Sequence, residues 1–130
     1  AQVLKDGSDI TLLSCGFLAV EVYEAAEILE RDGISVEVID LRRVKPLDEE
    51  TILASARKTG HVICCEDGMY NNGVSARVAE VLLKNRVETS FSSVGVNDRP
   101  VPAGTRSQLL EREGMNAESI VKLSKEVLAR

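Results

Sequence analysis

The stretch Asp32-Gly33-Ile34-Ser35-Val36-Glu37-Val38-Ile39-Asp40-Leu41-Arg42-Arg43-Val44-Lys45-Pro46-Leu47-Asp48 contains three structural instructions in seventeen residues. Gly33 follows an apolar pattern at helical spacing and offers a C-terminal cap. Ser35 to Ile39 is rich in β-branched residues and reads as a strand. Pro46 biases Lys45 toward an extended backbone, and Asp48 is a preferred helix N-cap. A helix ends, a strand runs, and a second helix begins.

The same alternation continues in both directions. Upstream, Ile10 to Cys15 is apolar on both faces and predicts a central strand. Leu18, Val22, Ala25, Ala26 and Leu29 then recur at helical spacing up to Arg31. Val3 to Lys5 reads as a short strand that turns at Asp6-Gly7 into Ile10 to Cys15. Downstream, the helix begun at Asp48 carries Glu49 and Glu50 at its positive end and Lys58 at its negative end, and Gly60 closes it. His61 to Cys65 predicts a strand. Val74, Val78, Val81 and Leu82 predict a helix after Gly73, and Thr89 to Val96 another strand. Thr105 and Gln108 form a capping box. Asn116 caps a last helix with Ile120, Leu123, Val127 and Leu128 as its buried stripe. Alternating strands and helices imply a three-layer α/β/α sandwich with a mostly parallel sheet of about five strands. At 130 residues, 1–130 is expected to form a single domain.

Composition removes several classes of function. The net charge is −5 and no long block carries one sign, which argues against nucleic acid as a partner. Two Phe, two Tyr and no Trp leave little for base stacking. The basic run Arg42, Arg43, Lys45 reads as a solvated or interface loop. No apolar run approaches the ~18 residues of a membrane span. The N-terminus lacks the basic start and apolar stretch of a signal peptide.

Open α/β sheets bind ligands at the C-terminal ends of their strands, so those ends carry the search for chemistry. After the first long strand stands Ser14-Cys15-Gly16-Phe17, with neither a dinucleotide glycine fingerprint nor a phosphate loop. Cys15 at a strand-to-helix turn could be an activated thiolate. The only histidine, His61, begins a different strand and is expected at the opposite edge. Cys64 and Cys65 are adjacent in a strand and point to opposite faces. With no metal-ligand spacing, the three cysteines read as reduced packing thiols in a reducing cytosol. Cys65-Glu66-Asp67-Gly68 carries paired carboxylates that could hold magnesium or exchange protons. A phospho-receiver would want a further acidic pair after its first strand, where Cys15-Gly16 stands. No nucleophile–base set is complete. The run from Glu66 and Asp67 through Asn71 and Asn72 to Gly73 is the candidate interface or ligand loop.

Lys5-Asp6-Gly7-Ser8-Asp9-Ile10-Thr11-Leu12-Leu13-Ser14-Cys15-Gly16 resembles the opening of the transketolase C-terminal domain. The stretch from Asp32 to Asp48, with Asp40-Leu41-Arg42 followed by Lys45-Pro46-Leu47-Asp48, matches that family nearly residue for residue. Lys58-Thr59-Gly60-His61-Val62-Ile63 resembles the next family segment. Arg42, Lys45, Pro46 and Asp48 are architectural in this motif. The domain is shared by transketolases, deoxyxylulose-phosphate synthases and the beta subunits of 2-oxoacid dehydrogenases. Gly95-Val96-Asn97-Asp98-Arg99 and Gly114-Met115-Asn116 look more like the latter two.

The resemblance implies a non-catalytic structural and assembly domain, or a split subunit, of a cytoplasmic thiamine-diphosphate enzyme. Ketol transfer between sugar phosphates, or two-carbon transfer from a 2-oxoacid, is the implied chemistry. It implies no cofactor in this chain, with thiamine diphosphate and magnesium held by the complete enzyme. The implied partners are its pyrophosphate- and pyrimidine-binding domains or subunits, in a homo-oligomer such as a dimer. The isolated chain is then inactive. The competing expectation is a stand-alone small-ligand or regulatory module using the loop from Glu66 to Gly73. Two positions depart from the family. Asn72-Gly73-Val74-Ser75-Ala76 keeps one glycine where many relatives have three, which puts close backbone approach there in question. Ala103 stands where many relatives have histidine.

Overall fold

The computed structural model describes residues 1–15, 18–42, 46–69, 73–96 and 115–130. The described chain runs β1 (Gln2–Lys5), β2 (Ile10–Cys15), α1 (Ala19–Arg31), β3 (Val36–Asp40), α2 (Glu49–Thr59), β4 (His61–Met69), α3 (Val74–Lys84), β5 (Ser90–Val96) and α4 (Ala117–Ala129). The sheet has five strands in the order β1-β3-β2-β4-β5. All neighbours are parallel except β1 and β3.

Strand periodicity divides the core into two layers. On one face Ile10, Leu12, Val36, Val38, Ile63 and Cys65 meet α1 and α4. On the other, Leu13, Ile39, Val62 and Cys64 meet α2 and α3. The helix stripe expected in α1 is realised, with Val22, Ala25, Ala26 and Leu29 fully buried. In α4, Ile120 and Val127 are buried while Leu123 and Leu128 are only partly covered.

The helix ends follow the chemistry of their caps. Asp48 Oδ1 accepts the Thr51 amide at 3.2 Å and Oδ2 accepts the Thr51 hydroxyl at 2.8 Å. Asn116 Oδ1 accepts the Ser119 amide at 3.0 Å. Gly60 ends α2 at φ +73° and Gly33 follows α1 at φ +85°, a region costly for any side chain. The capping box at Thr105 and Gln108 lies outside the described residues.

One pairing corrects the sequence reading. β1 does not form a hairpin with β2. It pairs antiparallel with β3, Gln2 opposite Asp40 and Val3 opposite Ile39. Both sides of β2 are taken by β3 and β4, so β1 is left the outer side of β3. Gly7 makes this route possible: a Cβ there would sit 2.1 Å from the Val36 carbonyl carbon.

Candidate functional site

The two ends of the sheet differ in how their polar groups are satisfied. At the N-terminal end, Thr11 Oγ1 lies 2.7 Å from both Ser55 Oγ and Thr59 Oγ1. Glu37 is buried, pairs with Lys58, and accepts the Gly7 amide at 3.3 Å. Burial pushes its carboxyl pKa up. Hydrogen bonds from Lys58, Ser55 and Gly7 outweigh that and hold it below its ordinary 4.5. His61, at the same end, places Nδ1 2.8 Å from Ser90 Oγ. This end is a satisfied structural network.

The C-terminal end holds the candidate residues. Chain order sends β2 to β3 on one side and returns past β2 to β4 on the other, so the order of strand addition reverses between the parallel strands β2 and β4. Cys15 and Glu66 stand in register at that point. β4 continues to Met69, so Glu66 belongs to a strand and not to a loop. Its carboxylate is turned inward, 3% exposed, instead of lying in solvent.

Glu66 Oε2 accepts the Val74 amide at 2.6 Å and so caps the start of α3. Gly73 is the helix N-cap and lies directly under the carboxylate. A Cβ at residue 73 would stand 2.4 Å from Glu66 Oε1 and 2.5 Å from Oε2. The close approach put in question by the missing glycines therefore exists, made by a side chain against Gly73. Glu66 Oε1 is buried without a hydrogen-bond partner.

Of the other predicted positions, Asp67 lies on β4 but its side chain is outside the described set. Asn71, Asn72, Lys45 and Ala103 lie outside the described residues. Arg42 donates from Nη2 to Gln2 Oε1 and thereby ties the end of β3 to β1. Pro46 is exposed, and Asp48 is the α2 cap described above. Sequence reasoning missed Ser14, whose hydroxyl is fully buried at the C-terminal end of β2 with no hydrogen-bond partner. A polar residue inside an otherwise apolar strand was the available signal.

No cysteine is in a disulfide. Cys64 and Cys65 lie in opposite core layers, as alternation requires. Burial pushes the Cys64 thiol up to about 12 and raises Cys65 as well. Cys15 is half-buried at one end of the sheet and His61 begins at the other, so they form no nucleophile–base pair.

The residues described do not fit a magnesium diphosphate. Among them no group of three His, Cys, Asp or Glu converges. At α3 the first amide is taken by Glu66, and in α2 and α4 the third amide is taken by Asp48 and Asn116. A carboxylate at the α3 N-terminus would repel a phosphate from the position where a helix dipole otherwise attracts one.

The fold and this edge define a three-layer α/β module that carries no complete catalytic set among its described residues. The chain belongs to the family of transketolase C-terminal domains, whose model matches residues 1–120. It is 38% identical over its whole length to a 6-deoxy-6-sulfo-D-fructose transketolase subunit of Clostridium sp. strain MSTE9, covering 40% of that protein. It is 37% identical to the 1-deoxy-D-xylulose-5-phosphate synthase of Syntrophotalea carbinolica, with 92% of this chain matched to 19% of that one. With the pyruvate dehydrogenase E1 component subunit beta of Staphylococcus epidermidis it shares 43% identity over 78% of its length and 32% of the relative's. A solved structure described as a split gene transketolase, inactive beta4 tetramer, superimposes with a TM-score of 0.91 at 36% identity. That match covers 98% of this chain and 42% of the other. The chain thus spans between 19% and 42% of the length of these proteins.

Proposed function

We propose that this chain is one non-catalytic C-terminal structural and assembly module of a cytoplasmic thiamine-diphosphate enzyme, either its final domain or part of a split subunit. The full-length match to a transketolase subunit supports this reading most strongly. Cofactor and magnesium would be held by the pyrophosphate- and pyrimidine-binding parts of the same enzyme. Those parts are the partners, and the complete enzyme is a homo-oligomer. The chemistry belongs to the cofactor, which would carry a two-carbon unit from a ketose phosphate or a 2-oxoacid. This chain would supply buried surface and hold its neighbours in register.

Within that reading, Glu66, Asp67, Asn71, Asn72 and Gly73 form the segment that meets the partner. The reading is tested by titrating the isolated chain with thiamine diphosphate and magnesium in a calorimeter. No saturable heat is expected. A stoichiometric micromolar complex would show that the chain has its own cofactor site.

A further inference from the structure

Among the buried side-chain atoms without a hydrogen-bond partner, Ser14 Oγ and Glu66 Oε1 stand toward the same end of the sheet. Ser14 Oγ lies near the C-terminal end of β2, and Glu66 Oε1 stands on β4 one register step further along. These two parallel strands flank the point where the order of strand addition reverses. Ser14 pairs with Cys65, on the α1 and α4 side, and Glu66 pairs with Cys15, on the α2 and α3 side. The two atoms therefore stand on opposite faces of the sheet at one edge, while among the described residues Thr11, Ser55, Thr59 and Lys58 satisfy the polar groups of the opposite end. An unpaired buried carboxylate oxygen costs more than a neutral one, and its natural complement is a charged donor.

Among the described residues, the neighbouring strand positions carry carboxylates. Asp40 ends β3 opposite Ser14, and Glu66 stands opposite Cys15 on β4. The α3 N-terminus offsets part of the Glu66 charge through Val74, but only at Oε2. Arg42, just past the end of β3, donates to Gln2 at the outer side of that strand.

We infer that Glu66 Oε1 is the acceptor for an arginine or lysine side chain that the remaining part of the enzyme lays across the C-terminal ends of β2 and β4. This rests on the proposed role as an assembly module. The chain spans 40% of its transketolase-subunit relative, and the proposed source of the cation is the part of such an enzyme that this chain does not cover. Ser14 Oγ is a second hydrogen-bonding position along the same edge. Glu66 acts here as a positioning residue that orients the partner and takes no part in the chemistry.

The test uses Glu66→Gln and Ser14→Ala, each combined with the partner segments of the enzyme. Gln retains an oxygen for the Val74 amide but places an NH2 donor where Oε1 stands. The readout is the affinity of assembly as a function of salt, beside the melting curve of each isolated chain. Glu66→Gln is expected to weaken assembly roughly tenfold or more and to reduce its salt dependence. Ser14→Ala covers the case in which Glu66→Gln fails to fold. It should leave the isolated chain at least as stable and still weaken assembly several-fold. Unchanged assembly by a folded variant overturns the inference. So does native mass spectrometry showing a small molecule retained by the parent chain and lost from Glu66→Gln. Failure of the parent chain itself to assemble overturns instead the assembly-module reading on which the inference stands.

Discussion

Asp48 and Glu37 show how single carboxylates are made structural. Thr51 holds Asp48 below the usual carboxylate range by donating both its hydroxyl and its amide. Asp48→Ala removes this cap and should lower stability by about 1 kcal/mol, read as a shift in denaturant midpoint. Glu37 supports a pH prediction. Its folded pKa lies below its ordinary 4.5, so its contribution is fully present above that value and is lost as pH falls through the folded pKa. Glu37→Gln should therefore destabilise the chain at pH 7, and the difference from the parent should shrink in strong acid. Melts across pH measure both limbs, and a difference independent of pH would remove the Lys58 pairing as its cause.

At the scale of elements, α3 begins where it does because Glu66 reaches across from β4 to its first amide. That contact leaves no space for a side chain at residue 73. Gly73→Ala should displace the carboxylate, expose or strand its charge, and cost roughly 1–3 kcal/mol by thermal melt. Double substitution with Glu66→Ala should recover part of that loss, because the clash disappears with the carboxylate. The elements themselves were legible in the sequence wherever the signal was local. Asp48, Gly60 and Asn116 announced the ends of their helices, and Val36 to Ile39 announced a strand. The partner of β1 was not legible, because Asp6-Gly7 is compatible with a hairpin and only the completed sheet shows that β2 has no free side. The candidate site was half legible. Glu66 and Gly73 were both singled out, but their contact depends on how β4 and α3 pack, and Ser14 attracted no notice among its apolar neighbours.

At the scale of the whole molecule, the two apolar layers are consumed by α1 and α4 on one face and by α2 and α3 on the other. Among the described residues, Val3, Leu4, Val20, Tyr23 and Leu83 remain as exposed apolar side chains, and the unsatisfied polar groups lie toward the strand ends. No helix among the described residues is long and apolar enough to cross a membrane. Under the proposed assembly role, the module would act by burying surface and fixing geometry in the assembled enzyme. The direct measurement is turnover in ketol transfer and in 2-oxoacid decarboxylation, with thiamine diphosphate and magnesium supplied, for this chain alone, for the partner segments alone, and for the two together. The account predicts turnover only for the combination. Turnover by this chain alone, or full turnover by the partner segments without it, would contradict it.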